Sequence, residues 1–211
     1  MLYFVKTPHI IKRMFPKLVW HIPTNNKTIY LTFDDGPTPE ITRWVLRQLK
    51  TYNAKATFFC IGKNALQHPD ILTDIVTDGH MIGNHTNNHL NNWKVSGRTY
   101  LEDIEQANKI LKQQLNIKTL SLFRPPYGKI KLSTAKKLQK RGYKIIMWDV
   151  LSADFDQSIT PEKCLDNVLQ NTSNGSIIVF HDSVKASENL NYVLPKTLAY
   201  FSEKGYKFKA L

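Results

Sequence analysis

Two adjacent carboxylates, Asp34 and Asp35, sit in the run Thr32-Phe33-Asp34-Asp35-Gly36-Pro37, and two histidines stand four apart in His85-Thr86-Asn87-Asn88-His89. Two imidazoles and one carboxylate form a set suited to zinc, iron, cobalt or manganese, with positions left for water and substrate. The remaining aspartate is then free to move a proton, so the combination points to metal-assisted hydrolysis. Adjacent carboxylates in a confined site repel, which favours neutralising one with a cation while the other keeps its basicity. The four-residue spacing predicts that both imidazoles project from one side of a helical turn toward a single ion. Each motif taken alone also has a plainer reading: an Asp-Gly turn with solvated acids, and a histidine pair that falls at this spacing by chance.

Three further polar motifs follow. Phe123-Arg124-Pro125-Pro126-Tyr127-Gly128 sets a guanidinium on a stiff diproline turn, where it can face a carboxylate and a backbone N–H can face a developing oxyanion. The run from Met147 to Asp156 supplies acids, and Ile177-Ile178-Val179-Phe180-His181-Asp182 supplies a further histidine. His181 has the chemistry of a general acid once a carboxylate fixes its tautomer and raises its pKa. Asp149, Asp154 and Asp156 all qualify as that partner, and spacing alone does not choose among them.

Such side chains need a scaffold that gathers strand ends. Apolar or β-branched runs at 28–33, 56–60, 81–83, 120–124, 144–148 and 176–180 read as short, largely buried strands. Helices are expected between them at 40–52, 69–78, 99–115, 132–141, 161–170 and 190–204, with a last strand at 206–211. Gly79, Gly142, Gly175 and Gly205 mark helix ends and turns into strands. Alternating strands and helices imply right-handed crossovers and a parallel sheet, open or closed into a barrel. Asp34, Asp35, His85, His89, Arg124, Asp154 and His181 all fall at or just after the C-terminal ends of expected strands, where barrel enzymes build their sites.

A length of 211 residues with 42% hydrophobic content suffices for one full core and is short for two, so a single α/β domain is expected. The net charge of +12 favours anionic partners in general. Lysines and arginines are spread without a dense run or a recognised binding motif, so nucleic acid is not an expected partner. Cys60 and Cys164 lack metal or redox spacing and read as reduced and structural. Lys6, Lys12, Arg13 and Lys17 interrupt the first apolar residues, so neither a signal-peptide core nor a membrane span is read. A cytoplasmic location is the corresponding expectation, with the inner membrane surface as its variant. Thr7-Pro8 can open a short helix whose Ile10, Ile11, Met14, Phe15 and Leu18 share one face. That face is expected to cover the domain, and peripheral membrane contact through residues 1–20 is the alternative.

The five motifs, in this order, resemble the polysaccharide deacetylase family, the NodB-homology domains or family-four carbohydrate esterases, from about Thr28 to near the C-terminus. The resemblance implies a distorted (β/α)7 barrel with parallel strands, a catalytic domain over 28–211 and an extension over 1–27. It assigns Asp34 as catalytic base, Asp35, His85 and His89 as metal ligands, and Arg124 as the group that holds the base. It gives Tyr127 an oxyanion-facing backbone N–H, and it selects Asp154 as the partner of the acid His181. The implied cofactor is a divalent ion, zinc ahead of cobalt, manganese, iron and nickel. The implied reaction is hydrolysis of the N-acetyl group of an amino sugar in peptidoglycan, a chitin-type oligomer or a lipid-linked sugar. An O-acetyl esterase and an inactive carbohydrate-binding protein on the same fold are the alternatives. Two departures fall on the substrate pocket rather than on the chemistry: Phe155 stands where the family has tryptophan, and Val179 where its Leu-x-His motif has leucine. Both positions stay apolar, so acetyl recognition is expected to survive.

Overall fold

A seven-stranded parallel sheet carries the site in this computed structural model, which describes residues 3–211. Its order is β5 (Lys144–Ile145), β4 (Leu122–Phe123), β3 (Met81–Asn84), β2 (Ala56–Cys60), β1 (Thr28–Asp34), β7 (Ile177–His181) and β6 (Val150–Leu151). An eighth short strand, β8 (Lys207–Phe208), joins the start of β1. Consecutive parallel strands require crossovers, and helices supply most of them: α2 (Ile41–Thr51), α3 (Gly62–Gln67) with α4 (Pro69–Thr77), α5 (Gly97–Leu115), α6 (Leu132–Lys140), α7 (Pro161–Leu169) and α8 (Ser187–Glu203). The sheet curls into a distorted (β/α)7 barrel, and no ladder joins β5 to β6 among the described residues.

Period-two alternation in β1 decides what faces where. Ile29, Leu31 and Phe33 are fully buried in the layer beneath the helices, packing with Val45, Leu49 and Leu198. Thr32 and Asp34 point to the other face, where both meet the Arg124 guanidinium. Helix α2 shows why this layer forms: Val45, Leu46 and Leu49 are buried while Arg47 and Lys50 stay exposed. Each such burial stabilises by about 1.5–3 kcal/mol. A second cluster built on Tyr100, Ile104, Phe123, Leu138 and Ile145 holds α5 and α6 against β4 and β5. A small third cluster includes Phe59, Leu122, Ile146 and Ile177.

The segment before β1 packs on the barrel, and Met1 and Leu2 lie outside the described residues. Its helix α1 (His9–Met14) follows Pro8 as the spacing suggested. The expected apolar face divides: Ile11, Phe15 and Leu18 rest on the second cluster, whereas Ile10 and Met14 are 68% and 66% exposed. Two other elements depart from expectation. Helix α3 was not foreseen, and neither was β6, which lies in a stretch broken by Asp149. No described helix is long and apolar enough to cross a membrane.

Candidate active site

The carboxylate pair owes its geometry to one backbone twist. Asp34 is the last extended residue of β1, in register with His181 and Phe59 on the neighbouring strands. Strand alternation would send the next side chain to the opposite face, but Asp35 takes φ 82° and both carboxylates line the same cleft. Gly36 then passes so close to Asp182 that a Cβ there would lie 2.0 Å from Asp182 Oδ2. The Gly36 N–H donates to Asp182 Oδ1 at 3.1 Å, and the Thr42 hydroxyl donates to Oδ2 at 2.5 Å. Asp182 is fully buried, and burial together with the Asp35 charge pushes it up to about 8.

Arg124 fixes the first carboxylate. Its guanidinium is fully buried and donates to Asp34 Oδ1 and Thr32 Oγ1, both at 2.7 Å, and to the carbonyls of Met147 and Ile146 at 2.9 and 3.2 Å. It lies 4.2 Å from the centroid of the Phe59 ring. A planar fork with its donors engaged leaves Asp34 one orientation.

The histidine pair corrects the helical-turn expectation. His85 and His89 lie in an irregular loop after β3, with Thr86 at φ 66° and His89 at φ 54°. Left-handed residues, rather than helical periodicity, bring both imidazoles to Asp35. Asp103 on α5 braces this loop, accepting from the Asn87 and Asn88 backbones at 2.9 and 3.0 Å and from the Asn88 side chain at 2.6 Å. Asn84 adds a second brace, accepting from Thr86 N and donating to Ile104 O. The His85 Nδ1–H donates to the Arg124 carbonyl at 2.8 Å, since a carbonyl can only accept. Burial pushes His85 down to about 4, so it is a neutral imidazole with its Nε2 lone pair 3.7 Å from Asp35 Oδ1. His89 Nε2 lies 3.2 Å from the same oxygen, and its Nδ1 meets the Tyr127 hydroxyl at 3.1 Å.

Ligand atoms of Asp35, His85 and His89 all lie within 4.8 Å of one another. Asp35 Oδ1 is buried without a hydrogen-bond partner, and although burial opposes its charge, His89, His181 and His85 hold the carboxyl well below its usual range. An ionised orphan oxygen beside two imidazole nitrogens fits a divalent cation.

The three aspartates left open by spacing separate by their partners. Asp154 is fully buried and accepts twice from His181, from Nδ1 and from the backbone N–H, both at 2.7 Å. Asp149 instead takes Lys6, Lys12 and Ser176, and Asp156 takes Tyr3 and Ser158. Burial opposes the His181 imidazolium, yet the Asp154 charge and hydrogen bond, with Asp35 and Asp34, raise it to about 9.

Asp34, Asp35, His85, His89 and His181 share a cleft of about 370 Å³ whose apolar wall includes Phe155 and Val179. The Phe155 ring stands edge-on to His181 at 5.1 Å, and Tyr127 is half-exposed at the rim with φ 60°. Sequence reasoning missed Tyr3, Lys129, Trp148, Leu151 and Lys185 on the same cleft. Only Lys129 and Trp148 carried a signal, by adjoining the Arg-Pro-Pro-Tyr-Gly run and Asp149.

The polysaccharide deacetylase family model matches residues 21–146. The chain is 34% identical over 192 residues to a peptidoglycan-N-acetylglucosamine deacetylase of Bacillus cereus, covering 90% of this chain and 89% of that protein. It is 35% identical over 167 residues to a chitooligosaccharide deacetylase of Azorhizobium caulinodans, covering 79% of each. Among solved structures, the Bc1960 peptidoglycan N-acetylglucosamine deacetylase superposes with a TM-score of 0.88 at 32% identity, over 97% of this chain and 95% of that one.

Proposed function

The chain belongs to the polysaccharide deacetylase family, a family of hydrolases, and from that premise we propose that it removes the N-acetyl group of an amino sugar within a glycan. The observation that carries the reading is the convergence of three separately held polar groups on one cleft: the triad Asp35, His85 and His89, the carboxylate of Asp34 held from behind by Arg124, and the imidazole of His181 held by Asp154.

Asp35, His85 and His89 would hold the divalent ion, with zinc favoured by an imidazole and carboxylate donor set. When bound, such an ion lowers the pKa of a water toward ~7 and polarises the acetyl carbonyl. Asp34, oriented by Arg124, accepts the proton of the attacking water. The Tyr127 backbone N–H donates to the oxyanion as the carbonyl carbon becomes tetrahedral. His181, kept protonated by Asp154 at neutral pH, gives its proton to the nitrogen as the carbon–nitrogen bond breaks, leaving acetate and a free amine. Phe155 and Val179 supply apolar surface for the acetyl methyl and the sugar.

Similarity to a peptidoglycan-N-acetylglucosamine deacetylase and to a chitooligosaccharide deacetylase favours a peptidoglycan or chitin-type substrate over a lipid-linked sugar. Packing of Ile11, Phe15 and Leu18 on the barrel supports a covering role for the first residues more than a membrane-facing one. An inactive carbohydrate binder would be expected to lack a ligand or the base, and all seven polar positions are present. Mass-spectrometric screening of metal-loaded protein against peptidoglycan fragments, chitin oligomers, acetylated xylan and lipid-linked sugars tests the reading. Loss of one acetyl per modified unit from an N-acetylated glycan is expected. No loss from any of them, or loss from acetylated xylan alone, would overturn it.

A further inference from the structure

The segment before β1 does more than cover the barrel. Residues 5–7 lie along β6: Leu151 N donates to the Val5 carbonyl at 2.8 Å, Thr7 N donates to the Asp149 carbonyl at 2.9 Å, and Lys6 bridges antiparallel to Val150. Val19 lies along β5, donating to the Ile145 carbonyl at 2.9 Å and accepting from Met147 N at 2.7 Å. One strap therefore pairs with the two strands that do not pair with each other, and it occupies the barrel's seam. A buried carboxylate adds to this backbone pairing. Asp149, 4% exposed at the side chain, takes Lys6 Nζ at 2.6 Å, Lys12 Nζ, and the Ser176 hydroxyl at 2.5 Å.

That anchoring determines where Tyr3 falls. Its ring meets Phe155 edge-on at 5.7 Å, its hydroxyl donates to Asp156 Oδ2 at 2.8 Å, and it lines the cleft. Phe155 in turn meets His181 edge-on at 5.1 Å. Tyr3, Phe155 and His181 thus form a continuous tier along one wall, with Tyr3 one ring farther from the reacting centre than Phe155. A rigid aromatic body with a polar tip is well suited to the mixed apolar and hydroxylated surface of a sugar. An acetamido sugar seated at His181 and Phe155 would present its neighbouring unit, rather than itself, to Tyr3.

We propose that Tyr3, delivered by the seam-filling strap, is a specificity-determining residue that contacts the sugar unit next to the one being deacetylated. This rests on the deacetylase reading. It predicts that Tyr3 acts on the preference for chain length. Its tie to Asp156 also holds Phe155 against His181, so the aromatic ring and the hydroxyl contribute separately.

The experiment compares wild type, Tyr3→Ala, Tyr3→Leu and Tyr3→Phe on N-acetylglucosamine and on its β-linked tetramer, with thermal melting run beside the kinetics. In Tyr3→Ala the ratio of kcat/KM for tetramer over monomer should fall about tenfold, chiefly through KM, and in Tyr3→Phe by a smaller factor. Tyr3→Leu keeps apolar volume without an aromatic face, and it should match Tyr3→Ala; it serves alone if the alanine variant does not fold. An unchanged ratio, including an equal loss on both substrates, overturns the proposal. Tetramer binding by calorimetry separates the two readings. If wild type releases no acetate, the deacetylase reading falls, and about tenfold weaker tetramer binding by Tyr3→Ala still supports the sugar contact. Equal binding, or none by either protein, overturns it.

Discussion

Replacing Asp154 by asparagine should move the alkaline loss of activity to lower pH. In the wild-type protein His181 is raised to about 9: burial works against the imidazolium, and the Asp154 carboxylate at 2.7 Å overrides it, with further help from Asp35 and Asp34. A divalent ion on Asp35 opposes that further help, so metal-loaded wild type should lose activity somewhat below pH 9. The amide keeps an oxygen for hydrogen bonding but carries no charge, which leaves burial to bring His181 to its ordinary 6.5 or below. A change of that size removes ~3 kcal/mol of stabilisation from the imidazolium. At about pH 7.5 the protonated fraction falls from nearly all to roughly one tenth, an approximately tenfold loss in kcat from protonation alone. The sign follows from the role: a general acid works below its pKa, so the variant should regain rate on acidification while wild type gains little. The assay is kcat from about pH 5 to pH 10, with metal content measured at each point. An alkaline limb that does not move in Asp154→Asn refutes the reasoning.

Arg124→Met leaves the Asp34 charge buried without its partner; it should cost about 3–5 kcal/mol in urea unfolding, and Arg124→Lys should not restore activity because an ammonium lacks the fork. Asp103→Ala frees the Asn87 and Asn88 backbone N–H groups that brace the histidine loop, and chelator competition should show metal affinity lower by ~10–100-fold with the fold retained. Gly36→Ala places a Cβ 2.0 Å from Asp182 Oδ2, so its melting temperature should drop sharply, and adding Asp182→Ala should recover part of the loss.

Much of the site was legible because its polar residues punctuate apolar strands. Asp34, Arg124 and His181 each interrupt or end a run that would otherwise be buried, and that contrast is visible in one dimension. The choice among Asp149, Asp154 and Asp156 was not, because it depends on partners about 25 to 150 residues away: His181 for one, Lys6 and Lys12 for another, Tyr3 for the third. The histidine loop shows a different limit. Left-handed φ at Thr86 and His89 leaves no mark in residue type, since neither is glycine, so four-residue spacing reads as a helical turn. Helix α3 escaped notice for a related reason: it opens on Gly62, which reads as a breaker, yet a Cβ there would meet the Ala107 backbone at 2.7 Å. The two-residue β6 owes its definition to pairing with β7 and the strap, not to its own composition.

Acetate release from a chitin tetramer and from peptidoglycan fragments bears most directly on the chemistry, measured on three samples. These are metal-loaded wild type, the same protein stripped with a chelator, and Asp34→Asn carrying the same metal content. Wild type should release acetate, the stripped protein should lose that activity and regain it on metal addition, and Asp34→Asn should stay ~10²–10⁴-fold slower. Release that survives stripping, or an Asp34→Asn rate equal to wild type, would contradict metal-assisted deacetylation with Asp34 as the base.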